Sequence, residues 1–61
     1  MTHEERRNLL RAILTKAADA EAARQRAVQD GDRVRAEAYE AELRELWRAH
    51  ADLEQQAGRA A

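Results

Sequence analysis

The chain has 61 residues, a formal net charge of −1, and neither cysteine nor proline. A chain this short forms one small domain at most, and the lack of cysteine excludes disulfides and thiolate metal sites. We therefore predict a single domain over residues 1–61. Mean hydropathy is −0.90, and no apolar run approaches the roughly 20 residues of a membrane span. We predict a cytoplasmic protein with no membrane partner.

The first predicted element is a helix over about residues 3–29. Thr2 is followed by Glu5 in the S/T-x-x-E pattern, in which the threonine hydroxyl caps the first turn. No residue from there to Gln29 breaks a helix. Spacings of three and four, typical of a helix that packs along one face, connect Leu10, Ile13, Ala17, Ala20, Arg24 and Ala27, with Leu9, Leu14 and Val28 beside them.

The predicted turn is Asp30-Gly31-Asp32, residues 30–32. Gly31 is the only glycine before Gly58, and glycine is the residue that adopts a left-handed turn with the least strain. Asp32 follows it and is a good N-cap, because its carboxylate accepts hydrogen bonds from the first N–H groups of a helix.

The second predicted element is a helix over about residues 33–57. Gly58 predicts its end, and residues 58–61 are expected to fray. Its stripe follows a regular alternation of spacings three and four, with Trp47 on the edge, and consists of Ala36, Tyr39, Leu43, Leu46, His50, Leu53 and Ala57.

Folding the chain back at Gly31 pairs positions whose numbers add to about 62, and this sets the alanines of one helix against large residues of the other. We therefore predict an all-α antiparallel helical hairpin, a short antiparallel coiled coil. Two helices cannot bury their whole apolar surface, so we predict a homodimer that forms a four-helix bundle, or docking on a helical protein partner. The predicted interface residues are Leu9, Leu10, Ile13, Leu14, Tyr39, Leu43, Leu46, Trp47, His50 and Leu53.

Two polar residues fall on the apolar stripes. His50 is interpreted as a seam residue paired with Glu54; the alternatives are a metal ligand or a pH-sensitive switch. Arg24 is interpreted as paired with Glu21, and the alternative is an arginine that binds a ligand or partner.

Residue sets that carry catalysis are missing from the sequence. It has no glycine-rich phosphate loop and neither a Ser/His/Asp nor a Cys/His set. We therefore predict a non-enzymatic protein without cofactor or metal. Our functional prediction is a helical-hairpin module for protein interaction or oligomerisation, in a small regulatory or adaptor protein. Because alanine is abundant and Lys16 is the only lysine among eleven basic residues, the composition is typical of a high-GC bacterial genome.

The length, Met1-Thr2, the Asp30-x-Asp32 turn and His50-Ala51-Asp52 resemble the Rop-type plasmid RNA-binding hairpins. This resemblance implies a dimeric four-helix bundle. Rop-type proteins bind RNA through lysines, amides and an aromatic residue of the first helix, whereas the first helix here has one lysine and no aromatic. Because of this departure we do not expect nucleic acid as the partner. The alternative function is a small nucleic-acid-binding adaptor of the Rop-like four-helix-bundle type that uses the arginines of one bundle face. Arg6, Arg7 and Arg11 are predicted to form a small basic patch near the N-terminus.

Overall fold

The computed structural model is a hairpin of two antiparallel α-helices. It describes the backbone of residues 1–59 and the side chains of residues 1–56. Helix α1 spans His3–Gln29 and helix α2 spans Arg33–Arg59. The hairpin measures 46 × 15 × 11 Å, which confirms the predicted pair of long packed helices. Over the described residues, neither helix has the length and apolar character needed to cross a membrane.

Helix α1 begins where its cap was predicted. Thr2 has extended backbone angles, with φ −77° and ψ 163°, and its Oγ1 accepts a hydrogen bond of 3.1 Å from the backbone N–H of Glu5. Glu4 and Glu5 lie in the first turn, where a negative charge is stabilised by the positive end of the helix dipole. The start of α1 is thus determined locally by its first residues.

The connection between the helices is a Schellman motif followed directly by an N-cap. The N–H of Gly31 donates to the carbonyl of Val28 at 3.1 Å, and the N–H of Asp32 donates to the carbonyl of Ala27 at 2.8 Å. Asp32 Oδ1 then accepts from the N–H of Arg35 at 3.1 Å. Asp32 therefore ends one helix with its backbone and starts the next with its side chain.

Replacing Gly31 with alanine tests this turn. Gly31 has φ +73°, and nothing lies within 4 Å of an added Cβ, so the cost is backbone strain alone. We expect Gly31→Ala to lower the free energy of unfolding by about 1 kcal/mol in urea titrations at fixed chain concentration. Gly31→Asn, which tolerates the left-handed region better, should lose less. Equal stability of Gly31→Ala and the parent would contradict this account.

The end of α2 differs from the prediction. The helix continues through Gly58 to Arg59, two residues beyond the expected end at Ala57. A glycine in the last turn lowers helix propensity by about 1 kcal/mol but removes no backbone hydrogen bond, so it does not by itself stop a helix. Of the tail predicted to fray, residues 60 and 61 lie outside the described residues.

The seam between α1 and α2 is lined mainly by alanine. Leu43 is 8% exposed and packs with Ala17 and Ala20, with Leu46 partly buried against them. No side chain among the described residues is below 2% exposure, so the core of the hairpin is small. Of residues 1–56, the buried apolar ones are Ala17, Ala20, Ala27, Ala36 and Leu43.

Candidate functional site

The ten predicted interface residues divide into two groups. Three keep large exposed surfaces, with 43% of Leu9, 46% of Leu14 and 49% of Trp47 accessible. The others are buried or half-buried in the seam between the two helices: Leu10, Ile13, Tyr39, Leu43, Leu46, His50 and Leu53. A surface for another molecule therefore depends on the exposed three.

The two exposed leucines of α1 lie on opposite sides of the seam. Leu9 and Leu14 are five residues apart, which corresponds to about 140° around a helix. The half-buried Leu10 and Ile13 lie between them and face α2. Leu9 and Leu14 therefore cannot belong to one flat contact surface.

Ion pairs show which side of α2 lies on the same flank of the hairpin as Leu14. Arg24 lies 2.6 Å from Glu21 on its own helix and 3.9 Å from Glu40 on the other. Glu21 follows Leu14 by one heptad and Glu40 precedes Trp47 by one heptad, so Leu14 and Trp47 share this side. We call this side the Trp47 flank and define it by Arg7, Leu14, Glu21, Val28, Glu40, Trp47 and Glu54.

The Arg24 cluster confirms one predicted pair and adds one that was not predicted. The hydrogen bond and charge of Glu21, with a smaller contribution from Glu40, raise the pKa of Arg24 above its ordinary value although partial burial acts against this. Glu40 bridges across the seam to this guanidinium and thereby ties α2 to α1.

His50 connects the seam to the Trp47 flank. Its Nδ1 lies 3.1 Å from Oε1 of Glu54, and its side chain is 19% exposed, which confirms the predicted pairing. Its ring stands edge to face with Trp47, with centroids 5.8 Å apart and planes at 69°. Among the described residues no three His, Cys, Asp or Glu side chains are grouped to hold a metal ion, so the metal hypothesis has only the His50–Glu54 pair to support it.

Arg6 is a seam residue that the sequence reasoning did not place there. It is half-buried, and its Nε is buried without a hydrogen-bond partner among the described residues. The signal was available, because Arg6 precedes Leu10 by four residues and so continues the seam spacing. Arg6 therefore belongs to the seam, and only Arg7 and Arg11 of the predicted basic patch are exposed.

The turn end of the hairpin carries a shallow depression of about 420 Å³. Two small residues, Gly31 and Ala36, are among those that line it. Carboxylates of Asp32, Glu37 and Glu40 stand around it, with Arg33 as the basic lining residue. The turn end of the Trp47 flank is therefore recessed and mainly acidic.

These features define the chain as an antiparallel two-helix hairpin with an apolar patch, Leu14 and Trp47, on one flank. Comparison with protein-family models, curated proteins and solved structures found no match.

Proposed function

We propose that this chain is a non-enzymatic interaction module of a small cytoplasmic regulatory or adaptor protein, and that two copies associate through the Trp47 flank into a four-helix bundle. The observation that carries the proposal is that few large apolar side chains are buried inside the hairpin while others stay exposed on one flank. Among the side chains that the structure describes, Leu43 is the only large one that is buried, whereas Leu14 and Trp47 stay about half exposed on one side.

Covering this flank supplies stability that the hairpin lacks. Domains below about 70 residues rarely build a sufficient core from one chain. Full burial of a leucine-sized side chain stabilises by about 1.5–3 kcal/mol, and about half of that remains available at Leu14 and at Trp47. A two-fold dimer gains each contribution twice. Tryptophan is also a frequent interface anchor, because its large rigid ring buries much surface.

The two exposed leucines provide a matched test. Leu14 and Leu9 have nearly equal exposure, 46% and 43%, on opposite sides of one helix. We expect Leu14→Ser to weaken dimerisation at least about tenfold in sedimentation equilibrium, since both copies lose apolar burial. Leu9→Ser should leave the association constant within about twofold. A monomeric parent chain, or equal effects of both substitutions, would contradict the proposal.

Nucleic-acid binding is the competing outcome. Arg7 and Arg11 are exposed near the start of α1 and line a depression of about 350 Å³ together with His3, Glu4 and Asn8. Glu4 offsets part of their charge, and the chain as a whole has a net charge of −1. We expect no shift of an RNA hairpin or a DNA duplex at low salt. Binding that weakens steeply as salt rises would replace the interaction module with a nucleic-acid adaptor.

A further inference from the structure

We infer that the two copies pack with their turns at opposite ends, with α1 on α1 and α2 on α2, around a two-fold axis near Leu14 and Trp47. This inference rests on the proposed function and specifies its geometry. Two hairpins that stack face to face by two-fold symmetry have one other arrangement, in which both turns lie at the same end and α1 packs on α2 of the other copy.

Helix α1 carries a self-complementary strip on the Trp47 flank. Arg7, Leu14 and Glu21 occupy equivalent positions one heptad apart. An axis through Leu14 with the turns at opposite ends exchanges the positions seven residues before and after it. Arg7 of each copy then faces Glu21 of the other, and the two Leu14 side chains meet between these pairs.

The charge of the whole hairpin favours the same orientation. The open half, residues 1–16 and 47–61, has six basic and four acidic residues and a net charge of +2; the turn half, residues 17–46, has five basic and eight acidic residues and a net charge of −3. Turns at opposite ends set the positive half of one copy on the negative half of the other. If both turns lay at the same end, halves of the same charge would face each other, and the repulsion would lower the affinity.

Shape supports this orientation as well. The turn half contains three of the alanines that line the seam, Ala20, Ala27 and Ala36, and its Trp47 flank is recessed and rimmed by carboxylates. The open half is filled by larger side chains such as Leu10, Ile13 and Leu53. Opposite orientation therefore places the positive half of one copy, with these larger side chains, against the recessed, negative turn end of the other.

Helix α2 supplies an unfavourable contact, which two-fold symmetry makes twice. Glu40 and Glu54 lie one heptad on either side of Trp47, so the same axis sets Glu40 of one copy near Glu54 of the other. Arg24 lies 3.9 Å from Glu40, and its positive charge tempers the repulsion. In the other arrangement Glu54 would instead face Arg7. Reversing the charge of Glu54 should therefore strengthen the dimer in one orientation and weaken it in the other.

Cysteine cross-linking distinguishes the arrangements, since the chain has no cysteine of its own. The exposed positions Arg11, Ala18 and Ala51 lie on the outer edge of the Trp47 flank. An axis near Leu14 brings position 11 of one copy to position 18 of the other. Turns at the same end bring position 11 to position 51 instead, because Ala20 packs near Leu43 and this register sets Ala51 level with Arg11.

The experiment mixes Arg11→Cys with either Ala18→Cys or Ala51→Cys, exchanges the subunits, oxidises them and resolves mixed dimers by mass. We expect a disulfide for the first mixture and little for the second. The reverse result on a dimeric chain would overturn the orientation and leave the proposed function standing. Cross-linking of neither mixture would move the contact to another flank, and a monomeric parent in sedimentation would remove the function itself.

Charge reversal provides an independent readout. We expect Glu54→Arg to tighten the dimer about two- to thirty-fold, because two like-charge contacts become opposite-charge pairs worth about 0.2–1 kcal/mol each. Glu42→Arg, an exposed reversal on the opposite side, should change affinity by less than about twofold. A weaker dimer for Glu54→Arg would indicate that Glu54 faces Arg7 and would overturn the inferred orientation.

Discussion

Leu46→Glu is expected to abolish both the helical fold and self-association at micromolar concentration. Leu46 is half-buried against the cluster of Ala17, Ala20 and Leu43. The substitution removes much of the apolar burial of a leucine, about 1.5–3 kcal/mol, and brings a carboxylate into an apolar seam. Domains of this size have only a few kcal/mol of stability to lose. Circular dichroism and sedimentation velocity should report the loss together.

The control for Leu46→Glu introduces the same residue where solvent can hydrate it. Ala41 is exposed and lies on the outer face of α2, away from the seam. Ala41→Glu should therefore keep helicity and mass close to those of the parent chain. If Leu46→Glu retained full helicity and dimer mass, neither the seam nor the assembly would depend on Leu46, and the packing described for the hairpin would be wrong.

Leu43→Ala is expected to lower the free energy of unfolding by about 2–5 kcal/mol, the cost of deleting a buried leucine and leaving a cavity. Leu43 is 8% exposed and is the only large residue in the buried set. The alanines opposite it are held by their own helix and cannot fill the space. Urea or thermal unfolding at one fixed chain concentration measures the change, because the stability of a dimer depends on concentration.

Val34→Ala is the matched control for Leu43→Ala. Val34 is 79% exposed near the start of α2, so its truncation removes little buried surface and should change stability by less than about 0.5 kcal/mol. Similar losses for both variants would mean that the alanine-lined seam is not the core of the folded protein. A change confined to Leu43 would locate the core where the structure has it.

The two groups of substitutions separate folding from association. Leu43 and Leu46 act inside one hairpin, whereas Leu14 and Trp47 are displayed on its surface. Leu46→Glu should lose helicity at every concentration that can be reached, and Leu43→Ala should be less stable than the parent at each concentration. Variants of the Trp47 flank should recover helicity as concentration rises, because mass action restores the dimer. A concentration series for each group would thus assign every residue to the fold or to the contact.

Local signals in the sequence were sufficient for the architecture. Thr2 predicted the start of α1 through its cap, and Gly31 with Asp32 predicted the turn, because each acts on backbone groups within a few residues. The three-four spacing also predicted which side chains face the seam, since that pattern depends only on helix geometry. The prediction that α2 ends before Gly58 was wrong because one glycine lowers helix propensity without ending the helix.

The candidate surface required the packed hairpin. The sequence by itself determined which face of each helix is apolar, but it grouped Leu9 with Leu14 and left Glu40 without a partner on α1. Only the tertiary structure set Glu40 beside Arg24, because that contact depends on the axial register of two helices. It also decided how far Leu14 and Trp47 stay exposed, since small alanines in the seam set how closely the helices approach.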